Sequence, residues 1–430
     1  MRVVFFEDEQ ATQFAPIALT RPVFDLLCGC FSTRDRVLKS LMPKQWGGLV
    51  RTELRDVCRE ENPAALINDC IALRDGQTLL VNGRWLGEPN NLALATPDNV
   101  GLIDDQIAWL LIDEAEALLL DEDNWCEAIP RIARARSEHI AADGMMLQRP
   151  WDLISNNANQ IREDFNRAFD QQSNLPEHVV LLGDPAMLSV DATAQIDPYV
   201  VLDVRTGPIR IEADTRIQSF TRIEGPSFIG AETQIFRALV REGTSIGPVC
   251  RVGGEIEESI FQGYANKYHE GFLGHSFVCP WVNIGAMTTT SDLKNDYSSV
   301  KVPQEGTPID TGSSKVGSFI GDHAKTAINS MFNTGSSIGV MAMVLPGGPL
   351  LPKFIPSFGV VWFGEVRESA GLEGSLDVAR TAVSRRGLEL TNAQEKLIRH
   401  LYTATADSRA HAVRRAADRK AAAAGVPRQS

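Results

Sequence analysis

Isoleucine recurs at every sixth residue in the middle of this chain of 430 residues, and this spacing restricts the fold more than any other feature. A period of six fits neither an amphipathic helix, which repeats every 3.6 residues or so, nor a half-buried strand, which alternates. It is typical of a hexapeptide β-helix, in which each six-residue unit supplies one short strand and one turn. The three runs in register are Ile211, Ile217, Ile223, Ile229 and Ile235, then Phe272, Val278 and Ile284, then Ile320, Thr326, Phe332, Ile338 and Val344.

Glycine supports this interpretation, because such a repeat needs turns at short intervals. Of the 34 glycines, 19 fall between Gly225 and Gly359, and several follow the repeated aliphatic residue directly, as in Ile338-Gly339. A β-sandwich whose strands keep the same spacing is the alternative. Prisms of this kind resemble the left-handed parallel β-helix family, so we expect a left-handed coil with the aliphatic side chains inside.

One segment of the repeat region, residues 288–316, fits no six-residue template. It is long for a connection inside a compact domain. Because long loops on a rigid scaffold are common binding elements, we expect an inserted loop that contributes to a site.

The chain on either side of the repeat has a different pattern. The apolar run at residues 3–6 is typical of a buried parallel strand, and the spacing over residues 157–169 predicts a helix. The C-terminus is rich in Ala, Arg and Glu, which predicts further helices. We therefore expect a Rossmann-like α/β domain over residues 1–185, a left-handed parallel β-helix over 186–360 and a helical tail over 361–430.

The charge balance limits the partners. Lys and Arg total 42 against 55 Asp and Glu, which gives a formal net charge of -13 at pH 7. This field disfavours nucleic acid or an anionic membrane as the main partner. The seven cysteines are scattered and signal neither a disulfide framework nor a zinc site. The N-terminal apolar run is too short for a signal peptide and no stretch reaches membrane-spanning length, so we expect a cytoplasmic protein.

The densest polar cluster inside the repeat covers residues 266–275. His269 and His275 lie one six-residue unit apart, which predicts equivalent corners on the same side of the prism. Because aliphatic side chains fill the interior, a site must form outside, between two prisms. Histidine has an unperturbed pKa of about 6.5 and could take a proton from an attacking amine. The alternative is a structural histidine bonded to a neighbouring carbonyl.

Two strings carry a family resemblance, HEGFLG at residues 269–274 and VNIGAMT at 282–288. In sequence and mutual spacing they resemble signatures of the bacterial bifunctional N-acetylglucosamine-1-phosphate uridyltransferase/glucosamine-1-phosphate acetyltransferases. The strings at residues 263–267 and 291–297 are more similar to a divergent branch of sugar nucleotidyltransferases. The N-terminal motif of that branch resembles the string LTRP at residues 19–22.

The resemblance implies an acetyl transfer on the prism. His269 would be the general base that deprotonates the amine of glucosamine 1-phosphate as it attacks the thioester of acetyl-CoA, and His275 is the second candidate. A backbone N–H near Ala286 would stabilise the thioester oxyanion. The family also implies a homotrimer with the acetyl-CoA site between subunits. The remaining candidate binding residues on the prism are Lys267, Lys294, Asn295 and Tyr297.

The N-terminal half departs from ordinary sugar nucleotidyltransferases, which open with a glycine-rich loop that binds the nucleotide phosphates. Residues 1–40 contain no such string, and Asn82-Gly83 is followed by Arg84 where the family has a metal-binding Asp. The candidates for binding a nucleoside triphosphate and a sugar 1-phosphate are therefore Arg21, Arg34 and Asn82.

The string PWDLI at residues 150–154 resembles a motif of archaeal sugar-phosphate nucleotidyltransferases in which the Asp lies at the Mg²⁺ site. The resemblance therefore implies Mg²⁺ at Asp152. For Arg21, an ion pair with Asp25 is the alternative to a phosphate contact.

Together these features predict an enzyme of nucleotide-sugar synthesis of the UDP-N-acetylglucosamine type. Nucleotidyl transfer would take place in the N-terminal domain and acetyl transfer on the β-helix. Two alternatives stay open. The β-helix could serve only to build the oligomer, or the chain could be a sugar-nucleotide sensor without turnover.

Overall fold

The computed structural model describes residues 2–169, 175–369 and 371–423. The N-terminal strands are β1 (Arg2–Phe6), β2 (Leu27–Cys28), β3 (Phe31–Ser32), β4 (Gln45–Leu49), β5 (Leu66–Ile67), β6 (Thr78–Asn82), β7 (Trp85–Leu86), β8 (Asn99–Ile103), β9 (Gln106–Ile112), β10 (Glu138–Ala141) and β11 (Met145–Met146). Seven of them form one sheet in the order β10-β8-β9-β6-β1-β4-β5. β1 is parallel to both β4 and β6, whereas β9 is antiparallel to β6 and β8.

The apolar run at the start of the chain forms the centre of this sheet. Val3, Val4 and Phe5 are fully buried, as expected for a parallel strand covered on both faces. The α-helices are α1 (Thr33–Leu41), α2 (Arg55–Glu61), α3 (Glu114–Ala117), α4 (Trp125–Arg134), α5 (Pro150–Ala168), α6 (Leu372–Ser384), α7 (Asn392–Ala404) and α8 (Ala406–Ala423). The 3₁₀ helices are Glu9–Phe14, Val23–Asp25, Thr52–Leu54, Ala72–Arg74, Pro89–Leu94 and Pro185–Met187.

The repeat region is a stack of coils whose short strands form three parallel columns. The first column is Leu188–Val190, Ile209–Ile211, Ser227–Ile229, Thr244–Ile246, Ile260–Phe261, Phe277–Val278, Ser318–Ile320, Ser336–Ile338 and Phe354–Ile355. The second column contains Gln195–Ile196, Arg216–Ile217, the start of Gln234–Val240, the start of Arg251–Glu257, Asn266–Lys267, Lys325–Thr326, Met343–Leu345 and Val360–Trp362. The third column contains Val180–Leu182, Val201–Asp203, Arg222–Glu224, the ends of those two longer strands, Phe272–Gly274, Thr289–Thr290 and Met331–Phe332.

Each coil is one circuit of the three columns. The first column pairs Ile320 with Ile338 and Ile338 with Ile355, which lie 18 and 17 residues apart. Three six-residue units therefore make one coil, and the interior is aliphatic, as the spacing predicts. We name the corners by the columns they join: the first corner links columns one and two, the second links two and three, and the third links three and one.

The second isoleucine-like run departs from the predicted register by one residue. Phe272 is only half-buried, and Leu273, 1% exposed, takes the inward position opposite Ile256. The next inward residue, Val278, follows five residues later instead of six. The third corner is one residue shorter here, and this shortening moves the register.

The predicted insertion leaves and re-enters the stack at the third corner. Phe277 and Val278 pair directly with Phe319 and Ile320, so the first column continues past the inserted segment without interruption. Within the segment, Lys301–Gln304 and Thr307–Asp310 form an antiparallel hairpin that the sequence did not predict. A last strand, Glu365–Arg367, runs antiparallel to Val360–Trp362.

The N-terminal domain packs along the first column of the coil stack. Asn157 of α5 donates from Nδ2 to the Gly243 carbonyl at 2.8 Å, and its Oδ1 accepts the Gly29 N–H at 2.7 Å. Gly29 has φ +81°, and a Cβ there would approach Asp164 Oδ2 to 2.4 Å. A glycine is therefore needed at this contact.

The tail is helical, as predicted, from Leu372 to Ala423 apart from short connections, whereas residues 361–362 and 365–367 still belong to strands of the stack; residues 370 and 424–430 lie outside the described residues. Helix α7 packs on α2, where Lys396 pairs with Asp56. Arg409 of α8 stacks over the ring of Tyr402 at 4.3 Å. Among the helices described, none is long and apolar enough to span a membrane.

Candidate functional site

A cleft of about 950 Å³ opens at the carboxyl ends of β1 and β6. Ligands of open α/β sheets bind at this edge of the parallel strands. Asp8 follows β1, while Asn82 ends β6 and precedes Gly83 and Arg84. The sequence-predicted Asn82 therefore lines the cleft, and Asp8 joins it.

Arg84 and Asp8 form an ion pair within this cleft. Arg84 is 1% exposed, and its Nε and Nη2 donate to the two carboxylate oxygens of Asp8 at 2.8 and 2.6 Å. Asn82 Nδ2 donates to Asp8 Oδ2 at 2.9 Å. The guanidinium also donates to the Leu147 carbonyl at 2.6 Å and to Gln106 Oε1 at 2.9 Å. Both oxygens of Asp8 are thus engaged, so Asp8 does not fit the role of a metal ligand.

A second carboxylate, Glu7, is buried and holds the loops around the cleft. Glu7 is 2% exposed, and its oxygens accept the Val23 N–H at 3.0 Å and the Arg51 N–H and Nε at 3.1 Å. Sequence reasoning missed Glu7, Asp8 and Arg51. The available signal was the acidic string that follows the apolar run of β1 directly.

The two predicted phosphate-binding arginines lie outside the cleft. Arg21 forms a buried ion pair with Asp322 of the first corner, with Nη1 3.0 Å from Oδ1. Arg34 pairs with Asp25 at 2.9 Å. The alternative that pairs Arg21 with Asp25 is therefore wrong. Burial raises the pKa of Asp25 to about 7, although Arg34 opposes this shift.

Asp152 lies in the first turn of α5. Its Oδ2 accepts the backbone N–H groups of Gln148 and Arg149 at 2.7 and 2.9 Å. Gln148 lines the cleft and Asp152 does not, so Asp152 contacts the cleft wall through its hydrogen bond with the Gln148 N–H. Burial raises the pKa of Asp152, and it forms no ion pair within the described ranges. A half-buried carboxylate that forms no ion pair among the described residues fits a single protein ligand for Mg²⁺, although Arg149 acts on it electrostatically.

On the coil stack, His269 lies at the second corner and is exposed. Tyr268 beside it contacts the rings of His269 and Phe236 at centroid distances of 4.8 and 4.1 Å. Lys267 is an inward-facing residue, 1% exposed, whose Nζ donates to the carbonyls of Gly253 at 2.8 Å and His269 at 2.9 Å. Burial lowers the pKa of Lys267 to about 8. The lysine therefore fixes the backbone that presents the imidazole of His269.

His275 lies at the third corner, so the prediction that both histidines share one side of the prism is wrong. Six residues advance the chain by one column, and only a full coil returns it to the same corner. His275 is buried, with Nδ1 2.8 Å from Asp292 Oδ2 and Nε2 3.4 Å from Glu258 Oε2. Burial of the ring opposes protonation, but these carboxylates outweigh it and raise the pKa of His275 to about 9.

The same corner holds a group of side chains that could ligate a metal ion. Ligand atoms of Glu257, Glu258 and His275 lie within 4.8 Å of one another. Glu257 already has two cationic partners, Lys315 Nζ at 3.2 Å and Arg241 Nη1 at 3.5 Å. The cations compensate its charge, so the corner is built as an ion-pair network.

The predicted loop residues follow the third corner in the inserted segment. Asn295 and Tyr297 are exposed, and Lys294 Nζ donates to Ser298 Oγ at 3.0 Å and to the Ser299 carbonyl. Ala286 lies at the second corner, where its carbonyl accepts the Asn329 N–H at 2.9 Å. Within one chain, His269 and Ala286 thus share a corner, whereas Asn295 and Tyr297 lie in the segment that extends from another.

Comparisons with known proteins identify a family model for the N-terminal half and several relatives that match part of the chain. Residues 3–172 match a family model described as sugar nucleotidyl transferase. A bifunctional sugar-1-phosphate nucleotidylyltransferase/acetyltransferase of Sulfurisphaera tokodaii is 35% identical over 204 residues, which cover 47% of this chain and 45% of the relative. The bifunctional protein GlmU of a Nostoc species is 28% identical over 193 residues, covering 39% of this chain and 38% of the relative.

An uncharacterized acetyltransferase of Escherichia coli is 30% identical over 166 residues, 38% of this chain and 67% of the relative. A solved UDP-N-acetylglucosamine acyltransferase of Francisella novicida is 14% identical, covers 53% of this chain and 78% of that chain, and has a TM-score of 0.30. The match spans less than half the length of the first two relatives. Residues 3–172 therefore match the sugar nucleotidyl transferase family, and the chain is similar over part of its length to a bifunctional sugar-1-phosphate nucleotidylyltransferase/acetyltransferase.

Proposed function

We propose that this chain catalyses two steps of nucleotide-sugar synthesis, nucleotidyl transfer in the cleft at β1 and β6 and acetyl transfer at the second corner of the coil stack. The observation that carries the proposal is the exposed imidazole of His269 on a hexapeptide stack joined to a nucleotidyl transferase domain. The substrates are a nucleoside triphosphate, a sugar 1-phosphate of the amino-sugar class and acetyl-CoA.

The coil stack is proposed to close as a left-handed parallel β-helix and to assemble as a homotrimer through its second corner. This corner carries a line of exposed apolar side chains: Tyr199, Phe220, Tyr268, Met287 and Ile328. Contiguous exposed apolar surface of this kind is typical of protein interfaces. No described residue of the same chain covers His269, so a neighbouring copy would complete the crevice around it.

In the acetyl transfer, His269 accepts the proton of the amine as it attacks the thioester carbon, the C–S bond breaks, and the departing thiolate of CoA takes up the proton. A neighbour's inserted segment would bring Asn295 and Tyr297 to this base, because in one chain they follow a different corner. Lys294 lies in the same segment. The N–H of Ala286 makes no hydrogen bond within the described chain and is free to stabilise the thioester oxyanion.

In the nucleotidyl transfer, Arg84 and Asn82 hold the carboxylate of Asp8 beside the cleft, and Gln106 and Gln148 line its wall. These groups orient the triphosphate and the attacking sugar phosphate for in-line displacement. Mg²⁺ would be held by Asp152 and would supply charge neutralisation on the phosphates. The reaction is proposed to take place in the cytoplasm.

One observation favours a second function for the N-terminal domain, a sugar-nucleotide sensor. The guanidinium of Arg84 neutralises Asp8 where ordinary members of the family use metal-binding carboxylates. A cleft with fixed donors and a single peripheral carboxylate can bind a nucleotide without turning it over. In this case the coil stack would only build the oligomer.

The deciding experiment measures acetyl transfer from acetyl-CoA to glucosamine 1-phosphate by the His269→Ala variant. We expect at least a hundredfold loss of rate with an unchanged oligomeric mass. His178→Ala is the matched control, because His178 is an exposed histidine of the same corner that stacks on Tyr199. Wild-type acetylation by His269→Ala would overturn the proposal.

A further inference from the structure

A groove of about 460 Å³ lies between helix α6 and the outer face of the second column. Successive rungs of that column present Asn266, Asn283 and Lys325 to it. The opposite wall is α6 with the first residues after it. The volume falls in the range of small-molecule pockets, roughly 300–1,000 Å³. None of its lining residues belongs to the cleft at β1 and β6 or to the second corner.

The groove collects positive charge that the described chain leaves uncompensated. The side chains of Arg385 and Arg386 form no hydrogen bond or ion pair within residues 2–169, 175–369 and 371–423, and the Nε atom of Arg386 is buried. Lys325 donates to the Trp281 carbonyl, and burial lowers the pKa of this lysine to about 8. Among the described lining residues the one carboxylate is Asp377, which pairs with Arg380 on the far side.

The arginine next along the column extends this field. Arg251 follows the same outward face, and its pKa is lowered by burial and then by repulsion from Arg386. Like charges placed together without partners lower the stability of a fold unless a ligand of opposite charge compensates them. The chain as a whole carries -13, so the cluster is a local departure from its general charge.

An apolar strip runs beside the cations. The rings of Tyr264 and Trp281 lie 4.8 Å apart and line the groove with Val378 and Ala382 of α6. The amides of Asn266 and Asn283, joined at 2.6 Å, border it. Arg386 lies by the rung of Arg251, and the aromatic rings and amide groups belong to the next two rungs. This order matches a ligand that joins phosphate to a planar heterocycle.

We propose that this groove is a nucleotide-binding site separate from both transfer sites, with the phosphates at Arg385 and Arg386 and the base against Tyr264 and Trp281. The helical tail supplies one whole wall, so the site exists only while α6 is docked on the coil stack. Binding therefore couples the position of the tail to the presence of a nucleotide.

The test titrates the full-length protein with ADP and, separately, with inorganic pyrophosphate by calorimetry. We expect ADP to bind, pyrophosphate to bind at least tenfold more weakly, and Arg385→Gln/Arg386→Gln to weaken ADP binding at least tenfold. Arg414→Gln/Arg419→Gln on α8 is the control with the same change of charge, and it should bind ADP normally. Arg84→Gln, which alters the other cleft, should also retain this binding.

A second variant tests the groove independently, in case Arg385→Gln/Arg386→Gln fails to fold. Ala382→Trp fills the groove without changing charge, and its circular dichroism reports whether α6 is still folded. We expect a folded protein that no longer binds ADP at this site. ADP binding that survives both groove variants and disappears in Arg84→Gln would overturn the proposal, as would equal affinities for ADP and pyrophosphate.

Discussion

The Nδ1 atom of His275 lies 2.8 Å from Oδ2 of Asp292, which ties the third corner of the coil stack to the start of the inserted segment. Since the pKa of His275 is raised to about 9, the ring is an imidazolium at neutral pH. An imidazolium has no lone pair with which to accept a proton. The contact is therefore a structural ion pair, and His269 is left as the proposed base.

This ion pair predicts a pH-dependent stability. The pKa of His275 is about 9 in the fold and about 6.5 in the unfolded chain, so its contribution is complete below pH 6.5 and is lost as the pH rises through 9. We expect His275→Gln to lose about 3 kcal/mol at pH 6 and far less at pH 10. Urea midpoints at both pH values, with His178→Gln as the control, check this. An equal loss at pH 6 and pH 10 would contradict it.

The pair of Arg84 and Asp8 predicts a loss of stability on mutation. Arg84→Gln leaves carbonyl and carboxylate acceptors without their donor, and we expect a cost of about 3 kcal/mol in unfolding free energy. Arg84→Lys keeps the charge without the bidentate geometry and should recover only part of this. Arg134→Gln, an exposed arginine of the same cleft, is the control for thermal and urea unfolding. A wild-type midpoint for Arg84→Gln would refute this account of the cleft.

The buried ion pair of Arg21 and Asp322 predicts that Arg21 joins the two domains and does not bind phosphate. If it joins the domains, Asp322→Asn should expose the boundary to proteolysis and cost about 3 kcal/mol, since Arg21 is left buried without its partner. The double variant Arg21→Met/Asp322→Leu should recover most of this loss. The KM for nucleoside triphosphate should stay unchanged in Asp322→Asn. A raised KM with normal proteolysis would instead favour the phosphate-binding role predicted for Arg21.

The burial of the cysteine thiols predicts that they react slowly in the folded protein. Burial raises the pKa of Cys28 and Cys250 to about 12 and that of Cys70 and Cys126 to about 11. Because the thiolate is the reactive form, we expect slow labelling by a disulfide reagent at pH 8. All seven cysteines should react after denaturation. Rapid labelling of more than one thiol in the folded protein would contradict this burial.

The coil stack was the part of the fold that the sequence predicted best. Ile211, Ile217, Ile223, Ile229 and Ile235 are all buried, because only the inward position of each side excludes water. The predicted inward position at Phe272 was off by one residue, because the corners differ in length by one residue. A run of only three repeated residues does not reveal such a difference. Lys267 at an inward position was equally hidden, because its Nζ is satisfied by carbonyls that only the folded coil brings near.

The N-terminal site was harder to predict because it depends on pairs that are distant in sequence. Asp8 meets Arg84, and Arg21 meets Asp322, across 76 and 301 residues. A motif gives the residue type but not its partner in the fold, so the sequence predicted that Arg21 and Arg34 bind phosphate. The sequence could have located the cleft by position, because ligands bind where parallel strands end and the residues directly after β1 and β6 lie there.

The direct pairing of Phe277 and Val278 with Phe319 and Ile320 means that the inserted residues 291–317, between strands Thr289–Thr290 and Ser318–Ile320, leave the stack and return without interrupting the first column. The inserted segment can therefore be exchanged as a unit. Related chains can lengthen, shorten or replace it and inherit an intact scaffold, so evolution or a protein engineer can alter which acceptor is recognised at this edge while the supporting architecture stays constant.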